Sequence, residues 1–369
     1  MGIAEKIQEI EKEIGRTQRN KATEYHLGIL KSKLAKLRDE LINPKTKNSI
    51  KGEGFDVMKS GDARVAMVGF PSVGKSTILS SLTKTQSSVA SYEFTTLTCI
   101  PGVLEINGAN VQLLDLPGII ENAASGAGRG RQVISVAKTA DCILMVLDAN
   151  NGELQKQLLT KELESVGIRL NQRPPNIYFK VTKTGGIKFN RTIPLFKGID
   201  EKFVRLILNS YKIFNADVVV REDVTIDAFI DVVIGNIAYM KCLYVYNKID
   251  NISMEEVDRI ARQPHSVVIS CELKLNLDYM LDKIWEYLAL IRVFTKKPSN
   301  APDLGPEDGI ILRGSATIEH CCHAIHRTLA NDFKYAIVWG TSTKFVNSPQ
   351  RVAKGHLLHH EDVIQIAKK

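Results

Sequence analysis

Apolar residues recur at helical spacing at Ile3, Ile7, Ile10 and Ile14, and again at Leu27, Leu30, Leu34, Leu37 and Leu41. Gly15 interrupts the first stripe and Asn43-Pro44 ends the second, which predicts a helical hairpin within residues 1–50. Farther on the period changes. Short apolar runs at Arg64–Gly69, Val111–Leu116, Cys142–Asp148, Leu243–Asn247 and Val267–Ser270 are of strand length, and helical patterns separate most of them. Such alternation predicts an α/β fold with a mostly parallel sheet and ligand-binding loops at the strand ends.

Two stretches depart from that rhythm. Residues 169–239 look inserted into a domain formed by 63–168 and 240–292. They hold an apparent hairpin (Ile177–Lys183, Gly185-Gly186, Ile187–Asn190), helical patterns near Glu201–Tyr211 and Asp227–Ile234, and an apolar Val218–Val220. That is a small α+β subdomain. Residues 293–369 carry strand-like Gly309–Leu312, Tyr335–Trp339 and Asp362–Ile366 around a helical Ile318–Leu329, a second α+β unit. Residues 43–62 read as a linker rich in Pro, Gly and Lys.

The strand at Arg64 runs into Gly69-Phe70-Pro71-Ser72-Val73-Gly74-Lys75-Ser76-Thr77, which fits the phosphate-loop pattern GxxxxGK[ST]. Its glycines let backbone N–H groups close on phosphate oxygens. Lys75 is the expected bridge to the β- and γ-phosphates, and the Ser76 hydroxyl a Mg²⁺ ligand. A phosphate loop does not choose its base. Asn247-Lys248-Ile249-Asp250, after an apolar strand, does. A carboxylate at Asp250 can accept from guanine N1–H and its exocyclic amine together. Adenine would leave it unmet, at a cost of about 1–3 kcal/mol or more. Lys248 can lie over the base, and Ser270-Cys271 after the next strand can offer a backbone N–H to guanine O6. GTP is therefore the expected ligand.

Asp115-Leu116-Pro117-Gly118 closes the strand after Val111. Asp115 is the expected partner of the metal and the Gly118 N–H the γ-phosphate sensor. Thr95-Thr96 lies in a polar loop, where a switch threonine would cap the metal; Thr96 is preferred, though either hydroxyl could serve. Where many small GTPases place a water-orienting glutamine, this chain has Ile119 and Ile120, which predicts slow hydrolysis by the isolated protein. Arg129 and Arg131 follow in a Gly-rich stretch and are candidates to approach the phosphates.

Charge and cysteines narrow the setting. The chain has net charge +8, with 11 Lys+Arg against 7 Asp+Glu in residues 1–50 and 10 against 7 in 293–369. Basic ends favour an anionic partner such as RNA over a purely protein-directed signalling role. Six cysteines form no CxxC pair and two lie in apolar strand-like runs, as expected of reduced thiols in a cytoplasmic protein. No apolar run is long enough to span a membrane, and Lys6 stands where a myristoylation motif wants Ser or Thr. Glu319-His320-Cys321-Cys322-His323 and His326 invite a zinc reading, but no second ligand pair stands at closed-site spacing, and packed helix residues are expected.

The order Gly69–Ser76, Tyr92-Glu-Phe-Thr-Thr-Leu, Asp115–Gly118-Ile-Ile-Glu and Asn247–Asp250 resembles the Obg-related GTPases. Across all 369 residues the chain is similar to the developmentally regulated GTP-binding proteins. The resemblance implies an insert like ribosomal-protein S5 domain 2 and a β-grasp TGS domain at the C-terminus. It also implies association with ribosomes or polysomes, a role in translation, and a zinc-finger partner of the DRG-family-regulatory type. Some relatives hold a catalytic K⁺ through a phosphate-loop asparagine, a position filled here by Ser72, a poorer ligand than an amide. Two readings stand beside each other: a ribosome-associated GTPase switch, and an RNA-binding assembly scaffold whose GTP site is mainly structural.

Overall fold

A computed structural model describes residues 3–18, 20, 23–42, 61–82, 101–116, 136–194, 199–298, 300–305, 308–326, 328–345 and 348–368. In chain order the elements are α1 (Ile3–Arg16), α2 (Glu24–Ile42), β1 (Ala63–Val68), α3 (Lys75–Leu82), β2 (Pro101–Ile106), β3 (Ala109–Asp115), β4 (Cys142–Asp148), α4 (Gly152–Ser165) and β5 (Ile168–Leu170). The insert contributes β6 (Ile177–Val181), β7 (Ile187–Arg191), α5 (Glu201–Ser210), β8 (Ala216–Val220) and α6 (Ile226–Ile234). Then come β9 (Ala238–Asn247), a 3₁₀ turn (Ile249–Asn251), α7 (Met254–Ala261), β10 (Ser266–Val268) and α8 (Leu277–Leu288). The C-terminal elements are β11 (Leu290–Thr295), β12 (Ile310–Arg313), α9 (Ile318–Ile325), β13 (Phe333–Trp339), β14 (Gln350–Val352) and β15 (Val363–Lys368). Among the described residues no helix is long and apolar enough to cross a membrane.

The chain divides into two units, one of residues 57–117, 139–156 and 242–369, the other of 1–56, 118–138 and 157–241. In the first, the main sheet has the order β10-β9-β4-β1-β3-β2. β1 pairs in parallel with both β3 and β4, so their carboxyl ends open on one edge. β2 is antiparallel to β3 and was not foreseen from the sequence; its alternation is weak, and it packs as an edge strand. The core is Val65, Met67, Leu113, Leu144, Val146 and Val245, covered by Ile78, Met280 and Ile284 from the helices. Arg64 is an exception, a cation 1% exposed on β1. Its Nε donates to Gln112 Oε1 at 2.9 Å and a terminal nitrogen to Thr139 Oγ1 at 2.8 Å, which makes its burial tolerable. The C-terminal sheet, β12-β11-β15-β13-β14, packs Val293, Ala336, Val338 and Ile364 against α9.

In the second unit α1 runs through Gly15, so that glycine does not break the helix. The helix ends at Arg16, and ahead of α2 the Thr23 hydroxyl donates to the Gln18 carbonyl at 2.5 Å and the Thr23 N–H to Asn20 Oδ1 at 2.9 Å. α2 lies close on α5. A Cβ at Gly28 would stand 2.0 Å from the Phe203 ring, so a glycine there permits the approach. Tyr211 donates its hydroxyl to the Ser32 carbonyl at 3.0 Å along the same contact. The insert corrects the expected hairpin. β6 and β7 do not pair with each other; β8 lies between them, antiparallel to β6 and parallel to β7. The physical reason is apolar content: Ala216, Val218 and Val220 of β8 are fully buried, so the central place goes to the strand that buries most, and the Gly185-Gly186 turn spans it.

Candidate nucleotide-binding site

The candidate residues of the first unit gather at the carboxyl ends of β1, β3, β9 and β10, where an open α/β sheet offers its crevice. Residues 69–74 wrap between β1 and α3. Close packing explains the glycines. A Cβ at Gly69 would lie 2.4 Å from the Val146 carbonyl oxygen, and one at Gly74 (φ +98) would lie 2.3 Å from Asn247 Nδ2. Ser72, between them, also has positive φ, 62°. Gly74 thus brings the loop against the end of β9. Asn247, 3% exposed, ties the two together: its Nδ2 donates to the Val73 carbonyl at 2.9 Å and its Oδ1 accepts the Cys271 N–H at 3.1 Å. The Cys271 N–H expected to read guanine O6 is used in this arrangement to orient Asn247 instead.

Asp250 sits in the 3₁₀ turn after β9 and accepts from the Ser270 hydroxyl at 2.6 Å, which fixes its carboxylate direction. Ser270 is itself fully buried. Lys248 adopts φ +66 and its ammonium meets Asp148 Oδ2 at 2.9 Å. Burial pushes the Asp148 carboxyl up, but the Lys248 ammonium and the Asn150 donors outweigh it and hold it below the ordinary value. The site reading from sequence did not single out Asp148. Its signal was present, a polar residue ending the apolar run Cys142–Leu147 at the same sheet edge.

At the phosphate end the Lys75 ammonium donates to the carbonyls of Gly69 and Phe70, both at 2.8 Å. The Ser76 hydroxyl lies 3.5 Å from Asp115 Oδ2, and Asp115 Oδ1 is buried with no hydrogen-bond partner among the described residues. Burial pushes the Asp115 carboxyl above its usual value, with Lys75 and Ser76 opposing; burial likewise lowers Lys75, with Asp115 opposing. A buried, half-satisfied carboxylate beside a serine hydroxyl is a donor set that fits Mg²⁺. Leu116, 1% exposed, donates its N–H to the Met67 carbonyl at 3.2 Å and anchors Asp115. Thr95, Thr96, Pro117, Gly118, Ile119, Ile120, Arg129 and Arg131 lie outside the described residues.

The His/Cys run lies on α9, where capping and packing use it. The Thr317 N–H donates to His320 Nδ1 at 3.1 Å, and Cys321 and Cys322 are fully buried in the core beside Ile318. Cys142, Cys242, Cys271, Cys321 and Cys322 are buried and form no disulfide among the described residues.

A family model described as a 50S ribosome-binding GTPase matches residues 64–183, its C-terminal region matches 184–290, and a TGS-domain model matches 291–368. The chain is 68% identical over 369 residues to Developmentally-regulated GTP-binding protein 2 of Homo sapiens, covering all of both. It is 71% identical, again over all of both chains, to a GTP-binding protein of Caenorhabditis elegans. Among solved structures the YchF GTPase of Schizosaccharomyces pombe aligns with TM-score 0.48 and 14% identity, over 84% of this chain and 98% of that one.

Proposed function

The chain belongs to the developmentally regulated GTP-binding protein family, and from that premise we propose that it is a ribosome-associated GTPase switch acting in cytoplasmic translation. GTP binding and a GTP-hydrolysing fold belong to the family. The ribosome is the further step, and one observation carries it: residues 64–183 match the family described as 50S ribosome-binding GTPases.

The roles proposed for the site follow from its donors. Asp250, held by Ser270, accepts from the guanine edge. Asn247 keeps the phosphate loop and the base-reading strand in register. Lys75 leaves the loop carbonyls for the β- and γ-phosphates, gaining charge-assisted contacts in exchange for neutral ones. Ser76, Asp115 and Thr96 would hold Mg²⁺, which would supply positive charge against the phosphates, and the Gly118 N–H would sense the γ-phosphate. Ile119 cannot orient water, so intrinsic turnover is slow and rises when ribosomes, RNA or a zinc-finger DRG-family-regulatory-type partner orders the loops.

Co-sedimentation of the full chain with ribosomes in GTP, GDP and a non-hydrolysable analogue tests this. Retention favoured by GTP or the analogue over GDP is expected. Retention independent of nucleotide would leave the scaffold reading in its place, and none at all would remove the ribosome.

A further inference from the structure

Residues 173–212 carry nine Lys or Arg against two acids, a net +7 of the chain's +8. That charge is concentrated in the insert, outside every nucleotide motif in the sequence. The three-stranded sheet β6-β8-β7 turns Ile177, Phe179, Ile187 and Phe189 into the core beneath α5 and α6. By alternation its other face carries Tyr178, Lys180, Lys188 and Asn190, with Asp217 and Val219 between.

The register places these side chains in two rows. Tyr178 lies opposite Val219, which lies opposite Asn190; Lys180 lies opposite Asp217, which lies opposite Lys188. Adjacent strands are about 4.8 Å apart and same-face neighbours about 6.7 Å along a strand, so Tyr178 stands one step from Lys180 and roughly 12 Å from Lys188, with the two lysines roughly 10 Å apart in the neighbouring row. Tyr178 is 46% exposed, and Phe214, just before β8, is 64% exposed. The Thr182 N–H donates to the Asn215 carbonyl at 3.1 Å, which brings Phe214 beside the turn that carries Lys183. None of Lys180, Lys183 and Lys188 has an ion-pair partner among the described residues.

We propose that this open sheet face binds single-stranded RNA, with Tyr178 stacking on a base and Lys180 and Lys188, in the adjacent row, meeting the backbone phosphates. Exposed aromatic rings interleaved with unpaired lysines are what a single strand requires, because every base has a π-face and the backbone supplies the negative charge. A flat sheet suits splayed bases, whereas a duplex hides them. Asp217 removes one charge from the centre of the face and biases phosphates toward its two lysine edges. The inference rests on the reading that the chain meets RNA, and naked oligonucleotide separates the two: ribosome co-sedimentation would persist if only this surface assignment were wrong.

The test is fluorescence anisotropy of a labelled oligo(U) RNA of about 12 nucleotides with the full GDP-loaded chain over a range of salt. Tyr178→Ala should weaken binding between about fivefold and a hundredfold, and Tyr178→Phe should restore it. The Lys180→Ala/Lys188→Ala double variant should reduce the salt slope by about 1.4. Guanine-nucleotide affinity should stay unchanged in all three, which excludes misfolding. Duplex RNA of equal length should bind more weakly. Equal binding of duplex, or loss with the lysine variant but none with Tyr178→Ala, would overturn the proposal in favour of a non-specific basic surface. Unchanged oligonucleotide binding with ribosome retention lost would overturn it in favour of a protein contact.

Discussion

At the β9 end of the site Asn247, Lys248 and Asp250 are each met by another protein group: the Val73 carbonyl and Cys271 N–H, the Asp148 carboxylate, and the Ser270 hydroxyl. At the phosphate end Lys75 rests on two loop carbonyls, and one buried oxygen of Asp115 has no partner among the described residues. The first end is organised before ligand arrives. At the second, burial lowers the Lys75 ammonium and raises the Asp115 carboxyl, shifts that a bound phosphate and cation would oppose. Specificity and turnover are thus assigned to parts of one crevice that differ in how complete they are without ligand.

The largest expected effect is at the incomplete end. Lys75→Ala should weaken GTP by about a hundredfold in nucleotide titration, because each charge-assisted contact is worth about 1.5–3 kcal/mol. The fold should remain intact, since Lys75 bonds only to loop carbonyls. Wild-type affinity in this variant would move the phosphate contact elsewhere. At the organised end Asp250→Asn should lower GTP affinity by roughly tenfold to a hundredfold while raising that for xanthine nucleotides, whose exchanged donor and acceptor suit an amide. A uniform loss for both bases would mean that Asp250 supports the turn without reading guanine.

Asp148→Ala should act less, weakening guanine nucleotides about threefold to tenfold. A partly exposed ion pair contributes about 1 kcal/mol, and here it fixes the direction of the Lys248 ammonium. Asp115→Asn sharpens the contrast by splitting stability from function. Burial raises the Asp115 carboxyl, so the folded chain binds the proton more tightly than the unfolded one. Its cost to stability therefore appears as pH rises through the window between the ordinary carboxyl value and the raised one. The amide should gain about 1 kcal/mol of ligand-free stability at neutral pH, read by thermal unfolding, while losing Mg²⁺-dependent GTP binding. In the wild type that metal-dependent binding should weaken as pH falls through the raised value. A destabilised Asn variant would mean that the carboxylate has a partner in the folded protein.

The two regions were also unequally legible. The placing of the phosphate loop and Asn247–Asp250 at one sheet edge could be read from short motifs because the flanking strands fix their direction. The order of strands in the insert was not legible in this way. Gly185-Gly186 between two alternating runs has the chemistry of a hairpin, yet β8, farther along the chain, takes the central place because Val218 and Val220 bury more than either neighbour. Asp148 was missed for a related reason: its role depends on Lys248, 100 positions away, and only folding brings them to 2.9 Å. Arg64 reads as a surface charge until Gln112 and Thr139 close over it. Local geometry is written in local sequence, whereas choices among long-range partners are settled by burial.

Competition between GTP and ATP for labelled GDP on the full chain tests most directly whether this crevice is a guanine site organised ahead of its ligand. GTP should displace the probe at a concentration at least about a hundredfold below that of ATP, because adenine leaves the fixed Asp250 carboxylate unmet. Equal displacement by the two nucleotides would contradict the account.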